Sequence, residues 1–394
     1  MIPFREALDL LLGAVSVLPI ERCRIEAAAG RVLRQEIRAD RDVPAYDRVM
    51  MDGCALRSAD LLGGRVFHVA GQAPAGREAA ILPETPASCL EVMTGAPLPR
   101  GADCIVPVEE TTRTGLDEIT IALGFGHVEG RFIHASGSDA REGDLLLEAG
   151  VLLGSRQVGV AASCGAAWLE VSRKPVVTVF STGDELVPVD ETPAPHQIRQ
   201  SNAHAIRCAL ELAGFPPFHV GTLVDDPDAA RGVLQERLVA SDFLILTGAV
   251  SKGARDFIPA LLEALGCTRL FHGVAQRPGK PAGCWIGPGG QVIMALPGNP
   301  VSALTGLHAF VLPALVLASG LPVPKARLVI PYGRMDGLPG MTQHLPVTLG
   351  ADGRVQAAPT GNSGDFIGLL KSDGFVTLPP RGAISAALPF TPWL

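Results

Sequence analysis

The chain has 394 residues, 47% hydrophobic and 19% charged, which supplies core for two to four domains and argues against a disordered protein. Its formal charge of −7 argues against nucleic acid as the main partner, because phosphate backbones select basic faces. Eight scattered cysteines, with no Cys-x-x-Cys pair and no Cys/His ligand spacing, read as reduced thiols of a cytosolic protein.

Met1 to Ile20 is apolar, but Glu6 and Asp9 interrupt it, and Phe4, Leu8, Leu11, Leu12 and Val15 recur at helical spacing. The pattern predicts a soluble amphipathic helix within residues 1–20 rather than a signal peptide. Residues 21–40 are mixed and charged. Asp42 to Ala55 is an ordered loop in which Asp52 is either the acceptor of the Asp52-Gly53 turn or a ligand-facing carboxylate. Short strands at Val66–Val69, Cys89–Met93 and Cys104–Pro107, broken by Gly and Pro, predict a β domain over 41–140. Thr94 follows the second of these, as a turn residue or as a hydroxyl facing a ligand. Ser155 suits the N-cap and Gly165 the stop of a helix, with a strand at Ala167–Val171. The stretches 21–40 and 141–172 flank the β domain and can pair with each other, which makes that domain an insertion in a small mixed domain.

From 173 to 324 strands and helices alternate. Strands at Val176–Phe180, Phe218–Val224, Phe243–Thr247 and Gln291–Leu296 are separated by helices at Ala203–Ala213, up to Ala240, and from Asp256 to Leu265. The continuous apolar runs and the alternation predict a buried parallel sheet with right-handed crossovers. A helix opens at Pro297-Gly298-Asn299-Pro300-Val301-Ser302, where Asn299 suits the cap and Pro300 the first turn. Its apolar run, Leu304 to Leu321, contains His308 and Pro313 and reads as a buried helix, not a membrane span. After the linker at 321–324, a hairpin around Ala351-Asp352-Gly353 and a strand at Gly374–Leu378 predict a β domain over 325–394.

Ligands bind in the crevice at the carboxyl ends of strands in an open parallel sheet. Here those ends carry Ser181-Thr182-Gly183-Asp184-Glu185, Asp225-Asp226, Gly248 to Asp256 (with Ser251) and Pro297 to Ser302. The carboxylates suit a hard cation such as Mg²⁺, and the helix start at Pro300 suits an oxyanion. Arg277-Pro278-Gly279-Lys280-Pro281 fixes two cations in a Pro/Gly loop. No Gly-x-Gly-x-x-Gly or Walker-type Gly-Lys-Ser/Thr occurs. Each turn alone reads equally as an ordinary turn, a cap or a solvated acid pair. Their convergence on one edge points to divalent-metal-assisted chemistry on a phosphorylated ligand.

Met51-Asp52-Gly53, Met93-Thr94-Gly95-Ala96, Ser181 to Leu186, Asp225-Asp226-Pro227, Ser251 to Asp256, Arg277 to Pro281 and Leu296 to Ser302 stand in an order that resembles the MoeA family of molybdopterin molybdenumtransferases, to which the C-terminal part of gephyrin also belongs. The resemblance covers essentially the whole chain. It implies an elongated homodimer of multidomain α/β-plus-β chains: an N-terminal helix (1–20) packed on the α/β domain, a mixed dimerisation domain (21–40 and 141–172), an inserted β domain (41–140), a MogA-like α/β domain (173–324) and a barrel-like C-terminal domain (325–394). The implied reaction transfers molybdate to adenylylated molybdopterin with Mg²⁺-dependent release of AMP. Asp184, Glu185, Asp225 and Asp256 would then hold the metal. Ser181, Thr182, Gly183, Gly248, Ser251 and the turn Pro297, Gly298, Asn299, Pro300, Ser302 would cradle phosphate or pterin. Arg277 and Lys280 would attract molybdate, and Asp52 and Thr94 would complete the pocket from the partner subunit.

The resemblance further implies a cytoplasmic enzyme that meets a molybdopterin adenylyltransferase and apo-molybdoenzymes or their chaperones, with no nucleic acid or membrane partner. The chain departs from the family pattern in several places. Arg48, Val49, Met50 and Cys54 surround Asp52, Arg277 stands where Lys is common, and Gln200 replaces an Asp. Met341, Pro346, Ile367 and Gly368 fall where the family carries arginines and a Ser-Ser pair. These departures leave open a paralogue that binds pterin or nucleotide, or acts as a scaffold. A nucleotide-cleaving enzyme on the same α/β domain, as in relatives of competence-damage proteins, is the other alternative.

Overall fold

The computed structural model describes residues 1–248, 257–381, 383, 384 and 387–394. Two compact units emerge: residues 1–34, 150–153 and 169–394, and residues 35–149 and 154–168.

The larger unit is built on a six-stranded sheet that contains the four strands expected from the alternation and two more. Strands β1 (Val177–Thr182), β2 (His219–Leu223), β3 (Phe243–Thr247), β4 (Thr268–His272), β5 (Val274–Arg277), β6 (Gly283–Ile286) and β7 (Val292–Leu296) follow in sequence. The sheet order is β2-β1-β3-β7-β6-β4, and β5 lies elsewhere. The first four are parallel, whereas β6 pairs antiparallel with β7 and β4 antiparallel with β6. The sheet is therefore mixed, not parallel throughout. The physical reason is connection length: β6 and β7 are joined by a short Gly-rich turn, with Gly290 at φ 85°, and parallel neighbours need a crossover of a dozen or more residues.

Every residue of β1, β3 and β7 is buried, because both faces are covered. On one face Val177, Val179, Ile245 and Met294 pack with helices α1 (Phe4–Ala14), α2 (Asn202–Leu212) and the long helix from Pro300, through Leu11, Ile206, Leu210 and Phe310. On the other, Phe180, Leu244 and Leu246 pack with α3 (Pro227–Ala240) and α4 (Ile258–Ala264) through Leu234, Leu238 and Leu262. Alternate strand residues thus feed opposite cores, as the two-residue side-chain period requires.

The helix Pro300–Ala318 is long and apolar enough to span a membrane, but most of it is buried in the first of these cores. Its middle turn, Leu307–Val311, is π-helical, and the Leu312 N–H reaches back to the Leu307 carbonyl. Pro313 has no N–H to donate and its ring clashes with the carbonyl four residues back; the wider turn just before it accommodates both defects.

The C-terminal strands β8 (Arg327–Pro331), β9 (Thr342–Leu349), β10 (Arg354–Ala357), β11 (Gly374–Leu378) and β12 (Leu388–Pro392) pair in the order β9-β10-β8-β12-β11. β11 returns to β9, so the five strands close on themselves. Closure leaves no free edge in the ring. The hairpin read around Asp352 is present, with Val347 opposite Ala357 and Gly353 at φ 79°. β5 adds to this barrel in parallel, with Gln276 opposite Thr342 and Arg277 opposite Gln343.

In the second unit six strands form one sheet around Gly53–Leu56, Val66–Ala73, Ser88–Val92 and Cys104–Pro107. Their inward residues Leu56, Phe67, Cys89, Cys104 and Val106 form its core. Ile37–Arg38 pairs with Leu145–Leu147 beside it. The helix of this unit runs Ser155–Ser163 with Gly154, not Ser155, at its N-cap and no side-chain cap bond. All eight cysteines are free thiols.

Candidate active site

A cavity of ≈ 560 Å³ opens where β1, β3 and β7 end. It lies at the carboxyl ends of adjacent parallel strands, where the backbone must turn and its N–H groups are no longer used by the sheet. Two glycines let the loops meet. Gly248, after β3, has φ +92°, and a Cβ there would lie 2.5 Å from the Thr182 carbonyl oxygen; one on Gly298, after β7, would lie 3.3 Å from the Gly248 Cα. Only glycine permits both the left-handed turn and that approach.

The floor is a set of buried hydroxyls. Thr182 Oγ1 donates to the Thr247 carbonyl (3.3 Å), and Thr247 Oγ1 donates to Ser181 Oγ (3.2 Å). One wall is the run Ile198 to Asn202. Its strand Ile198–Arg199 pairs in parallel with Leu186–Val187, the Ile198 N–H bonds the Glu185 carbonyl at 2.9 Å, and Gln200 Nε2 donates to Thr222 Oγ1 at 3.1 Å. Asn202 Nδ2 donates to the Gly298 carbonyl at 2.7 Å, which fixes its amide, and leaves its buried Oδ1 without a partner. The opposite wall is Pro297 to Pro300, Pro281 and Gly364.

Of the residues foreseen from the sequence, Ser181, Thr182, Glu185, Gly248, Pro297, Gly298, Asn299 and Pro300 line this cavity. Gly183 lies beside it; its φ of +140° and the Glu185 carboxylate 2.7 Å from any Cβ account for the glycine. Asp184 accepts a bond from the Asp225 N–H at 3.4 Å, so these two acids meet each other but do not line the wall. Asp226 caps α3, its carboxylate accepting from the Ala229 N–H at 2.9 Å. Ser302 is buried inside its helix. Ser251 and Asp256 lie outside the described residues. Among the described residues no three acids, histidines or cysteines cluster as metal ligands.

One reading is corrected, and two sets of residues lie off the cavity wall. Asn299 does not cap with its side chain; its Nδ2 instead donates to Ser363 Oγ at 3.0 Å, tying the turn to the C-terminal domain. Arg277 and Lys280 do not line the cavity, because fully buried Gln276 bonds the Gly279 carbonyl (3.2 Å) and Val274 the Lys280 carbonyl (2.9 Å), so the tight loop presents only Pro281. Of the C-terminal departures, Pro346 is buried opposite Phe375, and Ile367 is exposed beside buried Gly368 on the short helix Phe366–Leu369. None of these, nor Met341, lines the wall; the C-terminal domain reaches it through Gly364. The lining residues Arg199 and Gly364 had no sequence motif of their own. The polar run Arg199-Gln200-Ser201-Asn202 before an amphipathic helix was the available signal.

In the second unit Asp52 and Thr94 form one feature. The Thr94 N–H (2.6 Å) and hydroxyl (2.7 Å) both donate to Asp52 Oδ1. These bonds hold the Asp52 carboxyl below its usual range. Asp52 is thus an acceptor, but for Thr94, 42 residues along the chain, rather than for its own Asp52-Gly53 turn.

Tight glycine turns, buried hydroxyls and a carboxylate at the carboxyl edge of an α/β sheet define a protein with a polar cavity where such sheets hold their ligands. Residues 2–165 match the MoeA N-terminal region (domain I and II), and residues 178–316 match a probable molybdopterin binding domain. The molybdopterin molybdenumtransferase of Synechocystis sp. is 36% identical over 378 residues, covering 94% of each chain. That of Bacillus subtilis is 30% identical over 385 residues, covering 90% of this chain and 85% of its own. The molybdopterin biosynthesis MoeA protein of Pyrococcus horikosii superposes with a TM-score of 0.80 at 27% identity, covering 100% and 99% of the two chains. This chain belongs to the molybdopterin molybdenumtransferase family.

Proposed function

We propose that this protein is a molybdenum insertase of molybdenum cofactor biosynthesis, transferring molybdate to adenylylated molybdopterin with Mg²⁺-dependent release of AMP. The observation that carries the reading is the cavity at the ends of β1, β3 and β7, with Ser181, Thr182, Glu185, Gly248 and the Pro297–Pro300 turn on its walls in a chain of this family. Backbone N–H groups at these turns and the buried hydroxyls bind and orient the phosphate and pterin portions.

The acids present fit Mg²⁺ in the way that ion is ordinarily held, by one or two carboxylates with substrate phosphates completing the shell rather than by a protein cage. Glu185 on the wall, with Asp184 and Asp225 beside it and Asp256 next in sequence order, would hold it. A cation held there would supply positive charge to offset that on the departing phosphate. Arg277 and Lys280 attract molybdate toward the cavity mouth. Asp52 and Thr94 complete the pocket from the partner subunit of a cytoplasmic homodimer, and an adenylyltransferase supplies the substrate.

AMP release from adenylylated molybdopterin, followed with and without molybdate and Mg²⁺, tests the reading. Glu185→Ala is expected to lower the rate about a hundredfold, the scale of losing one electrostatic stabiliser. Full turnover in that variant, or AMP release indifferent to Mg²⁺, would overturn it.

A further inference from the structure

The geometry points to Arg199 as the anchor of the nucleotide phosphate in this cavity, a reading that rests on the proposed reaction and names the residue that holds the AMP half of its substrate. A cavity for a phosphate ester needs positive charge to offset desolvation of the anion. Arg277 and Lys280 are on a loop that shows the cavity only Pro281; among the described lining residues the cation is Arg199.

Its backbone is fixed from both sides. The Ile198 N–H bonds the Glu185 carbonyl (2.9 Å) and the Gln200 N–H bonds the Val187 carbonyl (3.0 Å), so the position of Arg199 is set relative to the very segment that carries Glu185. One of its five donors is used: Nε bonds the Glu191 carbonyl at 3.1 Å. That bond orients the guanidinium plane while the two terminal nitrogens make no hydrogen bond or ion pair among the described residues. Three arginines of this unit serve as a contrast. Arg173 is bidentate to Asp242, Arg207 pairs with Glu211, and Arg31 pairs with Glu21. An oriented guanidinium with a free fork on a cavity wall matches two oxygens of one phosphate, a geometry that Lys does not reproduce. The bland alternative is a solvated surface arginine. It does not account for a side chain held at Nε and left open at the end that lines the cavity.

The test is calorimetric titration of the full-length protein with AMP and, separately, with molybdate. Arg199→Ala is expected to weaken AMP about tenfold or more, with molybdate affinity unchanged. Arg199→Lys is expected to fall between wild type and Arg199→Ala, because charge is kept and the fork lost. Arg207→Ala, equal in charge and remote in pairing, is expected to bind AMP as wild type does, and the melting temperature of each variant reports folding. In turnover, KM for adenylylated molybdopterin is expected to rise more than kcat falls. AMP affinity unchanged in a folded Arg199→Ala overturns the assignment while leaving the reaction standing. Equal weakening of AMP and molybdate also overturns it, by moving Arg199 to the oxyanion subsite. Conversely, AMP binding lost in Arg199→Ala by a wild type that inserts no molybdate sinks the proposed reaction but keeps the anchor.

Discussion

A methyl group on Gly248 would meet the Thr182 carbonyl at 2.5 Å from a backbone at φ +92°, so the loops after β1 and β3 touch only because that residue has no side chain. Gly248→Ala is expected to cost about 1–3 kcal/mol and to spread the two loops. A lowered urea midpoint at unchanged m-value checks it; a midpoint equal to wild type would mean that the loops are not in contact. The Asp52–Thr94 pair is a second residue-scale device. Its carboxyl is depressed by two bonds from Thr94, so its contribution is present above the ordinary value of 3.8 and is lost as pH falls through the lower folded value. Thr94→Val keeps the N–H and removes the hydroxyl. The Asp52 pKa, followed by NMR, is expected to move up toward 3.8 in that variant, and an unmoved titration would show that the hydroxyl bond contributes nothing.

At the scale of elements, two helices that follow strands of the central sheet are started differently although both have proline in the first turn. Asp226 caps α3 with its own carboxylate, and Asp226→Ala is expected to cost about 1 kcal/mol, read as a lower melting temperature. Asn299→Ala leaves its helix as it was, since that side chain serves Ser363 instead. This pair shows what a sequence discloses. Asp226 and Asn299 look alike before a proline, and the choice between capping and a bond to residue 363 is made by a chain segment 64 residues away. The apolar runs of β1, β3 and β7 were legible because both faces are buried, and so were the turns that end them. The antiparallel β6 was not, since it lies inside a stretch read only as a cation loop and a last strand. Nor was the addition of β5 to the barrel, a pairing set by tertiary contact. The same distance effect hid Arg199: nothing local in Ile198 to Gln200 says that it lies beside Glu185.

Across the whole molecule, buried imidazoles sit between the barrel and the α/β core, and they tie folding stability to pH. His344 on β9 has Nδ1 on Thr377 Oγ1 (3.1 Å) and lies edge-on to Phe4 of α1 and Phe375 of β11. Burial pushes it down to about 3. His308 in the long helix is lowered by the same cause; Nδ1 meets the Leu304 carbonyl and Nε2 the Leu394 N–H. Both are neutral in the folded chain, whereas an unfolded histidine takes its proton near 6.5. The unfolded state therefore binds more protons below that value. Stability from these sites is complete above pH 6.5 and declines as pH falls, for His344 until about pH 3, each unit of separation being worth about 1.4 kcal/mol. Trp393, which packs on both Phe375 and His308, supplies the fluorescence signal. Its urea midpoint is expected to fall steadily from pH 7 to pH 4, and His344→Gln, which cannot take the proton, is expected to flatten that slope. A slope identical in wild type and His344→Gln would show that the buried imidazole does not couple folding to pH.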